Sequence, residues 1–91
     1  MKIEKDFVLR EIAGDYIIIP TGQTGFEMNG LITVNEIAAF IWNLLQEERT
    51  FDALMDAILT EYEIDEQTAR NDLQEFLDIL QKKGIIAQPN V

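Results

Sequence analysis

The feature that most constrains this chain is a change of hydrophobic period partway along it. Up to Val34 the apolar residues fall in short runs of the kind that strands use. From Glu36 onward they recur with the 3.6-residue period of a helix. The change happens inside "NGLITVNEIAAFIW" (29–42), an extended stretch that runs into an apolar helix with almost no linker. Neither pattern can be accommodated by the other element, so the chain builds its sheet first and its helices second.

Two runs precede the change. "FVLREI" (7–12) and "DYIIIP" (15–20) flank Ala13-Gly14, a hairpin signal. Residues 16–19 are apolar on both faces, as a central or covered strand requires. Pro20 ends that strand. "TGQTGFEMNG" (21–30), with three glycines, reads as a loop, and "LITV" (31–34) makes a short third strand.

The helices follow. In 36–46, Ile37, Ile41, Leu44 and Leu45 share one face, with Phe40 on its border; Thr33 (with Glu36) and Asn35 both qualify as its N-cap. Behind Thr50 as cap, Phe51, Leu54, Met55, Ile58, Leu59 and Tyr62 form the stripe of a second helix. A third opens after Asp65, with Ile64 and Ala69 spaced as a hydrophobic staple, and buries Ala69, Leu73, Phe76, Leu77 and Leu80. It closes at Lys82-Lys83-Gly84, cations at the negative end of the helix dipole and then a glycine. "IIA" (85–87) returns as a short C-terminal strand and Pro89 stops it. The fold class is α+β, in the order β-β-β-α-α-α-β. A small antiparallel N-terminal sheet before three helices, with a short link near Glu63-Ile64, is a winged helix-turn-helix-like architecture.

Composition narrows the chemistry. The 91 residues suffice for one domain, residues 1–91. They contain no Cys, His or Ser, which removes the thiol, the hydroxyl of serine and the usual acid–base group of neutral pH. No run is long and apolar enough to span a bilayer, and "MKIEKDF" lacks the apolar core of a signal peptide, so the expected location is cytoplasmic. Net charge is −10, from 17 acids against 7 bases. That field keeps a protein soluble and repels phosphate backbones and anionic lipid.

The remaining motifs carry little chemistry. Asp65-Glu66 and Asp72 with Glu75 are carboxylate pairs, but such pairs are ordinary on a solvated helix face. "DEQTARND" lacks the glycine and terminal glutamate of a calcium loop, and Gly22, Gly25 and Gly30 fit no phosphate-binding fingerprint. An acyl carrier needs a serine. DNA reading by the third helix is opposed by its own charge: Asp65, Glu66, Asp72, Glu75 and Asp78 against Arg70, Lys82 and Lys83.

Two apolar residues lie off the centres of their stripes. Ile79 shares a flank of the third helix with Asp72, Glu75 and Lys83, so Phe76 and Ile79 are either a wide core face or one wall of a groove. Trp42, near Ala38, either packs under the hairpin or marks a contact surface.

Taken together, these segments resemble the PqqD family of peptide-recognition elements for ribosomally made, modified peptides. The resemblance runs nearly end to end and is carried by "GLITVNEIAAFIW", by "ERTFDALMDAILTEY", and by "DLQEFLDILQKKGII" with Asp72, Phe76, Leu80 and Gly84. It departs at "LLQEERT", where Glu47 and Glu48 replace a glycine frequent in the family and would lengthen the first helix.

The resemblance implies a non-catalytic module with no cofactor and no metal. A precursor's leader peptide adds as a strand beside Leu31, Ile32, Thr33 and Val34, against a wall of Asp72, Glu75, Phe76, Ile79 and Lys83. It further implies a modifying enzyme as partner, often a radical SAM protein, with no nucleic acid and no membrane. The second reading is a winged domain for self-association, since an exposed third strand invites a homodimer. A DNA-binding regulator is the third.

Overall fold

A computed structural model describes residues 1–4, 6–21 and 31–86. Three strands come first, β1 (Phe7–Ile12), β2 (Asp15–Pro20) and β3 (Ile32–Val34); the helices α1 (Glu36–Leu44), α2 (Phe51–Glu61) and α3 (Glu66–Lys82) follow. The strands form one antiparallel sheet in the order β1-β2-β3. This is the α+β arrangement that the change of period demands. The glycine-rich stretch 22–30, Ala87 and Pro89, assigned above to a loop and a strand end, lie outside the described residues.

The hairpin sets the register of the whole sheet. Ile12 and Asp15 pair across Ala13-Gly14. Both loop residues have positive φ, 52° at Ala13 and 86° at Gly14, as a type I′ turn requires. The closing pair of a two-residue hairpin exchanges both main-chain hydrogen bonds, and bonded and non-bonded pairs alternate from there. Asp15, Ile17 and Ile19 therefore direct their N–H and C=O groups at β1, whereas Tyr16, Ile18 and Pro20 face the other way. Two observations fit this phase. The Thr21 N–H donates to the Asp6 C=O at 3.1 Å, one more step of the same alternation. Pro20, which has no N–H, stands opposite Phe7 in a non-bonded pair.

The sheet lays one face on the helices. Ile18 is fully buried, with Leu9 opposite it in β1 and Ile32 opposite it in β3. With Phe7 and Val34 these residues pack on the helical core, which includes Leu54, Ile58, Leu73, Leu77 and Leu80. All five residues predicted for the stripe of α3 are buried. Trp42 is 2% exposed, and the Phe7 ring meets it edge-on at 6.1 Å. It packs under the hairpin, which resolves the two placements open to it.

Helix ends are closed by side chains. Asn35 caps α1, its Oδ1 accepting from the Ala38 N–H at 2.8 Å, so Asn35 and not Thr33 is the cap. Thr50 Oγ1 accepts from the Ala53 N–H at 3.1 Å at the start of α2. At α3 the Thr68 hydroxyl and N–H donate to the Asp65 carboxylate at 2.8 and 3.0 Å. Those bonds hold the Asp65 carboxyl below its ordinary value.

Glu47 and Glu48 do not lengthen α1. It ends at Leu44, short of residue 46, because the Arg49 Nε donates to the Leu44 C=O at 3.1 Å and Arg49 also pairs with Glu47. A cation on the last carbonyls does what a glycine does in other sequences.

Gly84, at φ 72°, ends α3 in a Schellman motif. Its N–H donates to the Gln81 C=O at 3.0 Å, and the Ile85 N–H to the Leu80 C=O at 2.9 Å. The chain then turns back. The Ile85 C=O accepts from the Glu4 N–H at 2.9 Å, and Ile86 makes one bridge to Ile3. Of the expected C-terminal strand (85–87) the described residues, which end at Ile86, include that bridge.

The two left-handed positions predict opposite outcomes. A Cβ at Gly84 meets nothing within 4 Å, so Gly84→Ala costs only backbone strain, about 1 kcal/mol of stability in urea unfolding. Ala13→Asn gains about 0.5 kcal/mol, because asparagine tolerates the left-handed region better than alanine.

Candidate functional site

Among the described residues β3 is paired on one side only. Since Tyr16 and Ile18 turn their main-chain groups toward it, their partners Val34 and Ile32 are the hydrogen-bonded residues of β3. Thr33, opposite Ile17, points its N–H and C=O outward. Asn35 continues extended, with φ −85° and ψ 178°, so its N–H also faces out while its C=O accepts from the Ala39 N–H at 3.0 Å. Residues 31–34 are therefore not a uniform pairing edge as the sequence suggested. Ile32 and Val34 are committed to β2, and Thr33 is open. Leu31 precedes the strand and is 61% exposed.

The other free edge, that of β1, differs. Its outward residues are Phe7, Leu9 and Glu11, and the Leu9 C=O already accepts from the Arg10 guanidinium at 3.0 Å.

Beside the open edge of β3 lies a cleft of about 170 Å³. Thr33, Val34 and Asn35 form one side and Ile37, Ala38 and Ile41 of α1 form the floor. Asp72, Glu75, Phe76 and Ile79 of α3 form the far wall. The spacing of those four, i, i+3, i+4 and i+7, puts them on one face of the helix. Phe76, 5% exposed, belongs to the core and to the wall at once, and Ile79 stands at the rim. The flank of α3 that the sequence left between core and groove thus serves as both.

Three of the proposed residues do not line the cleft, exposed Leu31 ahead of the strand being the first. Ile32 packs its side chain toward the core, and Lys83 is the exposed C-cap of α3. The sequence reading had missed Asn35 and the floor, having given Ile37 and Ile41 to the core. The readable signal was Ala38, a small side chain on a face of bulky ones, which leaves the cleft its depth.

Charge in the cleft is of one sign. Among the described residues Asp72 and Glu75 are its only charged lining residues. Among the described residues the ion pairs lie elsewhere, at Arg49–Glu47, Arg70–Glu66 and the Met1 ammonium with Glu48. No group of three or more His, Cys, Asp or Glu among the described residues could hold a metal ion. No described helix is long and apolar enough to cross a membrane.

A small sheet whose β3 edge is open beside a wall formed by the last of three helices is the architecture of a known family. The family model for coenzyme PQQ synthesis protein D (PqqD) matches residues 17–86, and the chain belongs to that family. Among solved structures it is similar to TbiB1 in complex with the TbiA(beta) leader peptide, at 28% sequence identity over 100% of both chains and a TM-score of 0.73. No match is found among curated proteins.

The phase of the ladder can be checked by a pair of substitutions. Ile32→Pro removes a bond to β2 and leaves a buried carbonyl unsatisfied, a loss of roughly 1–3 kcal/mol in urea unfolding. Thr33→Pro removes only an outward N–H and should cost less than about 1 kcal/mol, as for proline on a sheet edge. Equal losses would contradict the assigned phase.

Proposed function

We propose that this chain is a non-catalytic recognition element, a single domain over residues 1–91. It holds the leader segment of a ribosomally made precursor peptide as a fourth strand on β3. The observation that carries this reading is the coincidence of an open main-chain edge at Thr33 with the cleft walled by α3, in a PqqD chain similar to a leader-bound protein. Thr33 supplies a donor and an acceptor, and Asn35 a further donor. Val34, Phe76 and Ile79 supply apolar contact; Asp72 and Glu75 flank it. Leu31 extends the strand, while Ile32 and Lys83 act from outside the cleft.

Magnitudes support this division. A strand hydrogen bond contributes roughly 0.5–1.5 kcal/mol net, while ordering a disordered peptide costs several kcal/mol. Main-chain bonds alone therefore bind weakly. One or two apolar anchors at roughly 1.5–3 kcal/mol each bring the affinity to about micromolar.

The chain performs no bond chemistry in this reading. It delivers the bound precursor to a modifying enzyme, for which a radical SAM protein is the family's frequent partner. Pairing of two copies through β3 competes with peptide for the same edge, so a homodimer would be the unloaded form.

The direct test titrates the leader of a short precursor encoded beside the gene and follows backbone amide shifts. Shifts concentrated at 31–35 and along the 72–79 face are expected. Thr33→Pro should weaken binding about three- to tenfold through the lost donor. A folded Thr33→Pro variant with full affinity would sink strand addition on β3.

A further inference from the structure

The register and the lining of the cleft together restrict what the guest can be. An antiparallel guest makes its hydrogen-bonded pair with Thr33, since that residue has the open groups. The guest side chain opposite Thr33 then lies on the outer face of the sheet, in line with Ile17 and Arg10. Its two neighbours, opposite Val34 and Ile32, lie on the helix face. Val34 lines the cleft and Ile32 does not, so the neighbour opposite Val34 is the one that enters it. About 170 Å³, floored by Ile37, Ala38 and Ile41, accommodates one large apolar side chain. An apolar cavity of comparable size holds a benzene molecule.

The rim sets the second requirement. Asp72 and Glu75 stand one turn apart on α3 beside that position, with no cation among the described lining residues. A guest carboxylate there meets two like charges, and a guest cation meets two opposite ones. The net charge of −10 adds a long-range attraction for cationic peptides.

We propose that the cleft selects a cationic segment: a large apolar residue seated opposite Val34, with a Lys or Arg within two positions of it held at Asp72 and Glu75. The inference rests on the strand-addition reading above and names the chemistry of the peptide that site takes.

The test uses the full chain as bait for a displayed library of random peptides, followed by synthesis of the enriched sequences. Enriched peptides should carry Lys or Arg within two positions of a large apolar residue. Replacing that cation by Glu should weaken binding about tenfold, the combined effect of a lost attraction and a new repulsion. Glu75→Lys, at an exposed helical position, should invert the preference between the two peptides, and high salt should narrow it.

Amide shifts separate the outcomes. Peptides that perturb 33–34 and 72–79 yet bind equally with Lys or Glu overturn the charge rule and leave strand addition standing. A library that yields no peptide perturbing that face overturns both.

Discussion

An antiparallel ladder spends its main-chain hydrogen bonds on alternate residues, and most of what this protein offers a partner depends on that alternation. The turn at Ala13-Gly14 fixes which residues of β2 face β1. The remaining residues of β2 then fix which residues of β3 are already bonded. Thr33 is open because Ile12 and Asp15 close a two-residue turn, some twenty positions earlier in the chain. A one-residue slip in the hairpin would move Ile18 out of the core and close Thr33 against β2 in the same step. Core and edge are thus held by one constraint.

α3 supplies the other half of the site and the largest share of the helical core. Phe76 joins the two tasks: its buried ring is a core residue on one side and the wall of the cleft on the other. The wall is therefore as rigid as the packing behind it. The polar residues of the same face, Asp72 and Glu75, are free of that packing and can carry specificity at little cost to stability. The DNA-reading use of a winged fold is opposed by the same charges that favour a cationic peptide.

Much of this was legible in the sequence, for local reasons. The stripe of α3 follows from a clean 3.6-residue period, and the caps at Thr50 and Asp65 and the stop at Gly84 follow from chemistry confined to one turn. Four residues of the cleft wall share one helical face, so angle grouped Asp72, Glu75, Phe76 and Ile79, but it drew in Lys83 as well, which does not line the cleft. What escaped depends on groups distant in sequence. Which of Leu31, Ile32, Thr33 and Val34 is open is decided by a hairpin elsewhere. The early end of α1 depends on Arg49 reaching back to Leu44, where the local pattern offered two glutamates and no glycine. The floor was hidden for a third reason: Ile37 and Ile41 look the same in a sequence whether a helix face is covered by other side chains or left open beside a small residue.

The Schellman turn at Gly84 has a consequence beyond ending a helix. By sending Ile85 and Ile86 back to Glu4 and Ile3, it brings the approach to β1 and the exit from α3 side by side. A unit whose incoming and outgoing strands are neighbours behaves like a bead with one point of attachment: it can be spliced into or onto a larger polypeptide without the splice pulling on its interior.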